Sequence, residues 1–233
     1  MTRQRVVSLV PSVTETLLAW GVTPVACTRF CEQPDLPHVG GTKDPDVAAI
    51  VGLRPDLVVL CVEENRREDA DALNAAGIVT AALSIDGVAD VAPALSTLAA
   101  LVGVDPSRVE HIEGPAAPDA PAEGRLRAFV PIWKRPWMSL AGGTYGSSLL
   151  EAIGVDNVFA DADDRYPTVT LEQARARRPD VVLAPSEPYP FRERHVPVLD
   201  EVAPVVLVDG QDLFWWGVRT PRAAERLRRQ LWG

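Results

Sequence analysis

Short, wholly apolar runs alternate along this chain with segments whose apolar residues recur every three or four positions. The runs predict strands at Val6–Val10, Leu57–Cys61, Val79–Leu83, Leu126–Ile132, Val181–Ala184 and Val205–Val208. The periodic segments predict helices at Val13–Trp20, Pro45–Leu53, Glu68–Ala76, Val88–Val102, Ser147–Ile153, Leu171–Arg177 and Pro221–Leu231. The last carries Arg and Leu at helical spacing and reads as an amphipathic C-terminal helix. Strand followed by helix, repeated, predicts βα units and parallel sheets, whose strands are buried on both faces and so lack polar alternation.

The pattern occurs twice. Arg54-Pro55-Asp56-Leu57-Val58-Val59-Leu60 is echoed by Arg178-Pro179-Asp180-Val181-Val182-Leu183-Ala184, each a helix stopped at Pro and then a buried strand. Upstream, Leu17-Leu18-Ala19-Trp20-Gly21-Val22 is echoed by Leu149-Leu150-Glu151-Ala152-Ile153-Gly154-Val155, a helix ended by Gly. Two echoes in the same order predict two similar lobes. Between them, residues 114–124 are rich in Pro, Ala and Gly and read as a semi-extended linker. The expected division is therefore 1–113, 114–124 and 125–233. The expected class is α/β, two Rossmann-like lobes with parallel sheets.

Charge and composition then narrow the function. A net charge of -9 argues against a nucleic-acid partner and against docking on anionic lipid. No apolar stretch reaches the roughly 20 residues of a membrane span. The N-terminus runs straight into the first strand without a leader pattern, which predicts a cytoplasmic chain, or an extracytoplasmic one whose leader has been removed. Three cysteines, Cys27, Cys31 and Cys61, are not a disulfide framework, although Cys27 and Cys31 can pair in an oxidising compartment. The three histidines, His38, His111 and His195, are far apart and belong to no spaced ligand set, so no metal site is expected. No Gly-x-Ser-x-Gly elbow and no acid/base motif stands out, and no enzyme is expected.

The segment Ser8-Leu9-Val10-Pro11-Ser12-Val13-Thr14-Glu15 with Leu17–Gly21 resembles the opening of the cobalamin- and siderophore-binding receptors of ABC importers, the helical-backbone metal receptors. Val39–Pro45, Leu53–Val58, Met138–Thr144, Asp156–Asp161, Tyr166-Pro167 and Arg178–Val181 continue the likeness in order, and the cobalamin-binding branch fits best. The resemblance implies two α/β lobes joined by one long helix, with a bulky ligand in the cleft between them. Here the Pro-rich stretch stands where that helix should run, so a shortened bridge is expected.

In such sheets ligands meet the loops beyond the carboxyl ends of the strands. Those loops hold Pro11, Ser12, Glu63, Glu64, Trp133, Trp137, Tyr189, Phe214, Trp215 and Trp216. Aromatics are only 6% of the chain yet gather there, and broad apolar walls suit a flat macrocycle. Adjacent residues of an extended segment point opposite ways, so at most one of Trp215 and Trp216 is expected to face the ligand. Phe30 falls where the resemblance expects a ligand-facing aromatic, whereas Cys61 stands in place of another. Gly142-Gly143-Thr144 reads either as an anion-binding helix start or, more simply, as a tight turn. Permease docking is implied through an exposed carboxylate on each lobe, with Glu68 and Glu193 the candidates. The expected ligand is a cobalamin-like corrinoid, then a ferric siderophore or haem, bound as cargo rather than as a prosthetic group. The expected partners are that ligand and an ABC permease, and the expected state is a monomer. An intracellular corrinoid or metal-chelate binder for storage, delivery or sensing is the alternative.

Overall fold

The computed structural model describes residues 4–109 and 124–233, and these form two compact units. The first takes the described residues to Ile85, those from Ala89 to Val109, and Trp216–Val218. The second takes Asp86–Val88, those from Gly124 to Trp215, and Arg219–Gly233. The predicted linker, but for Gly124, and His111 lie outside the described residues.

The first unit runs β1 (Val6–Ser8), α1 (Pro11–Ala19), β2 (Ala26–Cys27), α2 (Val47–Leu53), β3 (Leu57–Cys61), α3 (Arg67–Ala75), β4 (Thr80–Leu83) and α4 (Val91–Val102). Its sheet has the order β2-β1-β3-β4 and is parallel throughout. The second runs β5 (Leu126–Phe129), β6 (Pro131–Trp133), β7 (Met138–Ser139), α5 (Tyr145–Ala152), β8 (Val155–Asn157), α6 (Leu171–Ala176), β9 (Val181–Pro185), α7 (Val196–Leu199), β10 (Val205–Val208), α8 (Gly210–Phe214) and α9 (Thr220–Trp232). Its main sheet, also parallel, has the order β10-β9-β5-β8. Numbered within each unit in chain order, both four-stranded sheets read 2-1-3-4. The two α/β lobes with parallel sheets agree with the fold read from the sequence.

Local chemistry sets the helix ends. Pro11 opens α1, where a missing N–H costs nothing. Asp46 caps α2 by accepting from the Ala49 N–H at 2.9 Å. This is why that helix starts at Val47 and not at Pro45. Thr170 and Gln173 form a reciprocal capping box on α6. Gly21, at φ 78°, lets the Val22 N–H turn back to the Leu17 carbonyl at 2.8 Å and stop α1. Gly103 ends α4 in the same left-handed conformation, so within the described residues that helix stops at Val102.

The echoed Arg-Pro-Asp segments prove to be equivalent devices. Arg54 and Arg178 both sit at positive φ, 48° and 51°, ahead of their prolines. Asp56 then accepts the Arg5 N–H at 2.7 Å, and Asp180 accepts the Arg127 N–H at 2.8 Å. The same two arginines turn their guanidinium groups onto the ends of the preceding helices, Arg5 to the Leu53 carbonyl and Arg127 to that of Arg177, each at 2.7 Å. One clamp thus closes the amino end of each central strand pair.

Each sheet has its own core. In the first, Val7, Leu9, Val58 and Leu60 pack with Ile50, Leu73 and Ile78. In the second, Phe129, Val182 and Ala184 pack with Phe159, Phe191 and Leu199. A fully buried Leu or Ile contributes roughly 1.5–3 kcal/mol, so these layers dominate each lobe.

The structure corrects the predicted elements in six places. The run Leu126–Ile132 is two strands: β5 stays in the sheet, while β6 leaves it and pairs antiparallel with β7. A continuous apolar run carries no mark of where the chain changes partner. The edge strands β2 and β8 are too short to leave a pattern, and so are helices α7 and α8. The segment from Val88 begins as a 3-10 turn to Asp90 before α4 proper.

Asp56→Ala and Asp180→Ala are each expected to lower stability by about 1 kcal/mol, the usual worth of one such hydrogen bond. With the two carboxylates in different units, the double variant should lose the sum. Urea titration of the three variants checks this, and losses within a few tenths of zero would remove the clamp from the account.

Candidate functional site

In the first lobe the carboxyl ends of β1, β2 and β3 carry three short loops. The first passes directly into α1, where Pro11 and Ser12 are buried. The second is the turn Thr28–Cys31, which holds Phe30 half exposed, at 50%. Its neighbour Arg29 lies over the Phe30 ring at 4.8 Å and grips Asp44 through both carboxylate oxygens, at 2.9 and 3.0 Å. Gly40, at φ 89°, is the glycine this loop requires, because a Cβ there would overlap the Asp44 carbonyl and the Asp46 backbone nitrogen.

The third loop, Val62-Glu63-Glu64-Asn65, depends on its last residue. Buried Asn65 accepts the Cys61 N–H at 2.8 Å and donates to the Leu9 and Thr42 carbonyls, at 3.2 and 2.9 Å. One amide therefore ties β1, β3 and the 40–44 loop together. Glu63 and Glu64 are half-buried beside it, and Lys43 Nζ donates to the Glu63 carbonyl at 2.6 Å. Val62 stands 62% exposed, an apolar neighbour to the glutamates. Cys61 is buried, and burial followed by the charges of Glu64 and Glu63 pushes its thiol up to about 12, so it stays neutral.

In the second lobe the hairpin β6–β7 carries the tryptophans. Trp133 is 43% exposed and meets Tyr189 edge-on at 5.6 Å. Trp137 stacks on Phe191 at 6.1 Å with the rings 4° from parallel, and Lys134 lies over the Trp137 ring at 5.5 Å. Tyr189 also packs on Phe191 at 4.8 Å and on His195 at 5.4 Å. Sequence reasoning found exposed Trp133 and the half-buried Trp137 and Tyr189, but missed Phe191 and His195, which pack against them. His195 belongs to no spaced ligand set in the sequence, and the loop after β9 packs it against Tyr189 and Phe191.

The C-terminal aromatics separate. Phe214, which ends α8, and Trp215 are half-buried, whereas Trp216 is buried at 3% and belongs to the first lobe. Trp216 is thus packed inside, which leaves Trp215 as the accessible member of the pair. The Trp215 Nε1–H donates to Glu187 at 2.7 Å, and Arg219 covers the ring at 5.0 Å while pairing with buried Asp212 at 3.2 Å. Arg226 pairs with the same carboxylate. Gly210 is required because any side chain there would overlap Glu187. The Gly142–Thr144 segment is a turn: Gly143 sits at φ 65°, and the Thr144 hydroxyl accepts the Ser147 N–H to cap α5.

Glu68 lies in the first turn of α3, exposed and 3.6 Å from Arg66. Glu193 is exposed at the start of a 3-10 turn. His38 is exposed and makes a 3.0 Å contact with the Gln33 carbonyl. Among the described residues, no three His, Cys, Asp or Glu side chains gather as a metal site. No described helix is long and apolar enough to cross a membrane.

Comparison with known proteins places this geometry. Residues 6–189 match the family described as periplasmic binding protein. A vitamin B12-binding protein of Salmonella choleraesuis (strain SC-B67) is 27% identical over 190 residues, covering 77% of this chain and 71% of that protein. The crystal structure of the periplasmic vitamin B12 binding protein BtuF of Vibrio cholerae superimposes with a TM-score of 0.81 at 21% identity, covering 98% of this chain and 96% of that one. The periplasmic haem-binding protein BhuT, solved with two haems, gives 0.82 at 22% identity, covering 98% and 97%. The family and fold resemblance read from the sequence is thereby borne out. The cytoplasmic placement finds no support among these periplasmic relatives.

His195 makes the second-lobe cluster sensitive to acid. Burial, then Lys134 and Arg194, hold its pKa below the ordinary value of about 6.5, and Arg192 adds to the positive surroundings. The unfolded chain accepts a proton more readily than the native one, so stability is full above about pH 6.5 and falls as the pH drops towards the native value. His195→Asn keeps an acceptor for the Arg192 N–H, which donates to Nδ1 at 3.0 Å. Between pH 7.5 and 5.5 the variant should lose less stability than the parent in urea melts. Equal losses would show that His195 does not carry the effect.

Proposed function

Because the chain belongs to the periplasmic binding protein family, we propose that it is a non-catalytic receptor that holds a metal-chelate macrocycle, a cobalamin-like corrinoid first and haem second. A ferric siderophore is the third ligand to consider. The observation that carries this reading is the exposed aromatic surface at the carboxyl ends of the second sheet, Trp133 set edge-on against Tyr189 and backed by Trp137, Phe191 and His195. Water solvates such rings poorly, and a flat apolar ligand face replaces that water at a gain. In the first lobe Phe30 and Val62 are exposed apolar groups in the loops after β2 and β3, and Glu63 and Glu64 follow Val62. Corrin side-chain amides donate hydrogen bonds, and glutamate carboxylates accept them.

Trp215 supplies ring area rather than a donor, since its N–H is committed to Glu187. Pro11, Ser12 and Trp216 are buried, and in this reading they shape the loops instead of touching ligand directly. The receptor works outside the cytoplasmic membrane as a monomer and hands its cargo to an ABC permease. Glu68 and Glu193, one exposed carboxylate in each lobe, are the docking groups. The names of the relatives support this over an intracellular storage or sensing role.

Thermal melting with cyanocobalamin, haemin and a ferric siderophore tests the reading. At 100-fold above Kd a ligand specific for the native state adds about 2.7 kcal/mol, which for a chain of this size raises Tm by roughly 5–10 °C. Cyanocobalamin is expected to do so. Trp133→Ala should weaken its affinity by about 10-fold or more, while a half-exposed ring leaves the free protein's Tm nearly unchanged. No shift with any of the three ligands would sink the proposal.

A further inference from the structure

We propose that the aromatic surface of the second lobe selects ligands carrying oxyanions on their edge, through the unpaired cations Lys134, Arg192 and Arg194, with Arg135 beside them. The inference rests on the reading of that surface as a ligand wall and adds the charge of the ligand it takes. Two stretches supply the surface, Trp133–Trp137 and Tyr189–His195. Between them they hold four Lys and Arg residues against one acid, Glu193, hence a local charge of +3 in a chain of net charge -9.

The two stretches bring their cations to one place. Lys134 Nζ lies over the Trp137 ring at 5.5 Å, and Arg194 Nε stands 3.4 Å from Nε2 of His195, whose ring packs edge-on against Tyr189. After burial itself, Lys134, Arg194 and Arg192 all oppose a proton on His195, so cations from the hairpin and from the loop after β9 lie around that one ring. Arg192 and Arg194 are exposed and Lys134 is half-buried, so solvent and ligand reach all three. Four other arginines of this lobe each hold a carboxylate: Arg125 with Asp156 at 2.6 Å, Arg165 with Asp86 at 2.7 Å, Arg175 with Glu201 at 3.6 Å, and Arg177 with Asp161. Lys134, Arg135, Arg192 and Arg194 have no carboxylate at ion-pair distance among the described residues. Glu187, two residues before Tyr189, is committed to the Trp215 N–H.

Cations beside exposed rings lose hydration when a ligand covers those rings, and a neutral ligand edge returns little for it. A carboxylate or phosphate on that edge does return it, since a guanidinium fork matches both in geometry. One surface thus recognises two features of a ligand: its flat apolar face by Trp133 and Tyr189, and its anionic edge by the cations around them.

Three corrinoids in excess cyanide share one ring and the same axial ligands and differ at the edge. Dicyanocobinamide carries amides, dicyanocobyrinic acid carries carboxylates in their place, and dicyanocobalamin adds a phosphodiester. Calorimetry measures their affinities at about 10 mM and about 1 M salt, between which the screening length shrinks from roughly 30 to roughly 3 Å. Dicyanocobyrinic acid is expected to bind about 10-fold more tightly than dicyanocobinamide at low salt, with the ratio falling towards one at high salt. Arg192→Gln/Arg194→Gln should abolish most of that ratio while holding the dicyanocobinamide affinity within about 2-fold, whereas a merely structural role would weaken both ligands alike. A gain for dicyanocobalamin that the double variant also loses assigns the phosphodiester as a second source of the oxyanion, and a gain confined to dicyanocobyrinic acid assigns carboxylates alone. Equal affinities for all three, or a preference that the double variant keeps, would overturn the proposal and leave the macrocycle reading standing. Absence of binding by all three would remove the corrinoid reading itself and the preference with it.

Discussion

A parallel strand buried on both faces has no side chain left for solvent, so whatever it does must happen at its ends. In this molecule the amino ends are spent on closure. The Arg5–Asp56 and Arg127–Asp180 clamps take the strand's first N–H and the last helical carbonyls in one arrangement, repeated in each lobe. The carboxyl ends are where polar and aromatic side chains emerge, and both candidate surfaces lie there. The constraint thereby separates stability from recognition along every central strand.

Much of that division was legible because burial on two faces writes an unbroken apolar run, and the Arg-Pro-Asp repeat marks the start of the run in each lobe. Leu57–Cys61 and Val181–Pro185 are of this kind, buried along their whole length. What escaped reading follows from the same physics. Edge strands such as Ala26–Cys27 and Val155–Asn157 each pair with a single strand of the sheet and need just two or three residues. The chain's departure from the sheet after Phe129 leaves no mark, since β6 continues the apolar run into a different ladder.

The candidate site was legible by residue type and less so by arrangement. Trp133 announces itself because few aromatics occur in the chain and it follows a predicted strand, whereas Phe30 is marked by the family resemblance. Their supports carry neither mark. Asn65 is an ordinary loop residue until its amide is seen to bind β1, β3 and the 40–44 loop together. His195 is one of three isolated histidines until Tyr189 and Phe191 fold onto it. Alternation in an extended segment did separate Trp215 from Trp216, because that rule is geometric and needs no tertiary partner.

The supports matter because a large flat ligand has few polar handles, so affinity depends on how well the apolar walls are held before it arrives. Free rings would have to lose rotamer freedom on binding. Here that cost is met during folding: Trp137 is stacked on Phe191, Tyr189 is wedged between Phe191 and His195, and Phe30 is backed by an Arg29 that Asp44 holds in place. The same economy explains why polar groups near these walls are already partnered, Trp215 with Glu187 and Arg219 with Asp212. A surface prepared in this way discriminates by shape and apolar area first. In the proposed reading, Glu63 and Glu64 after β3 add a polar choice among ligands by accepting their amide donors.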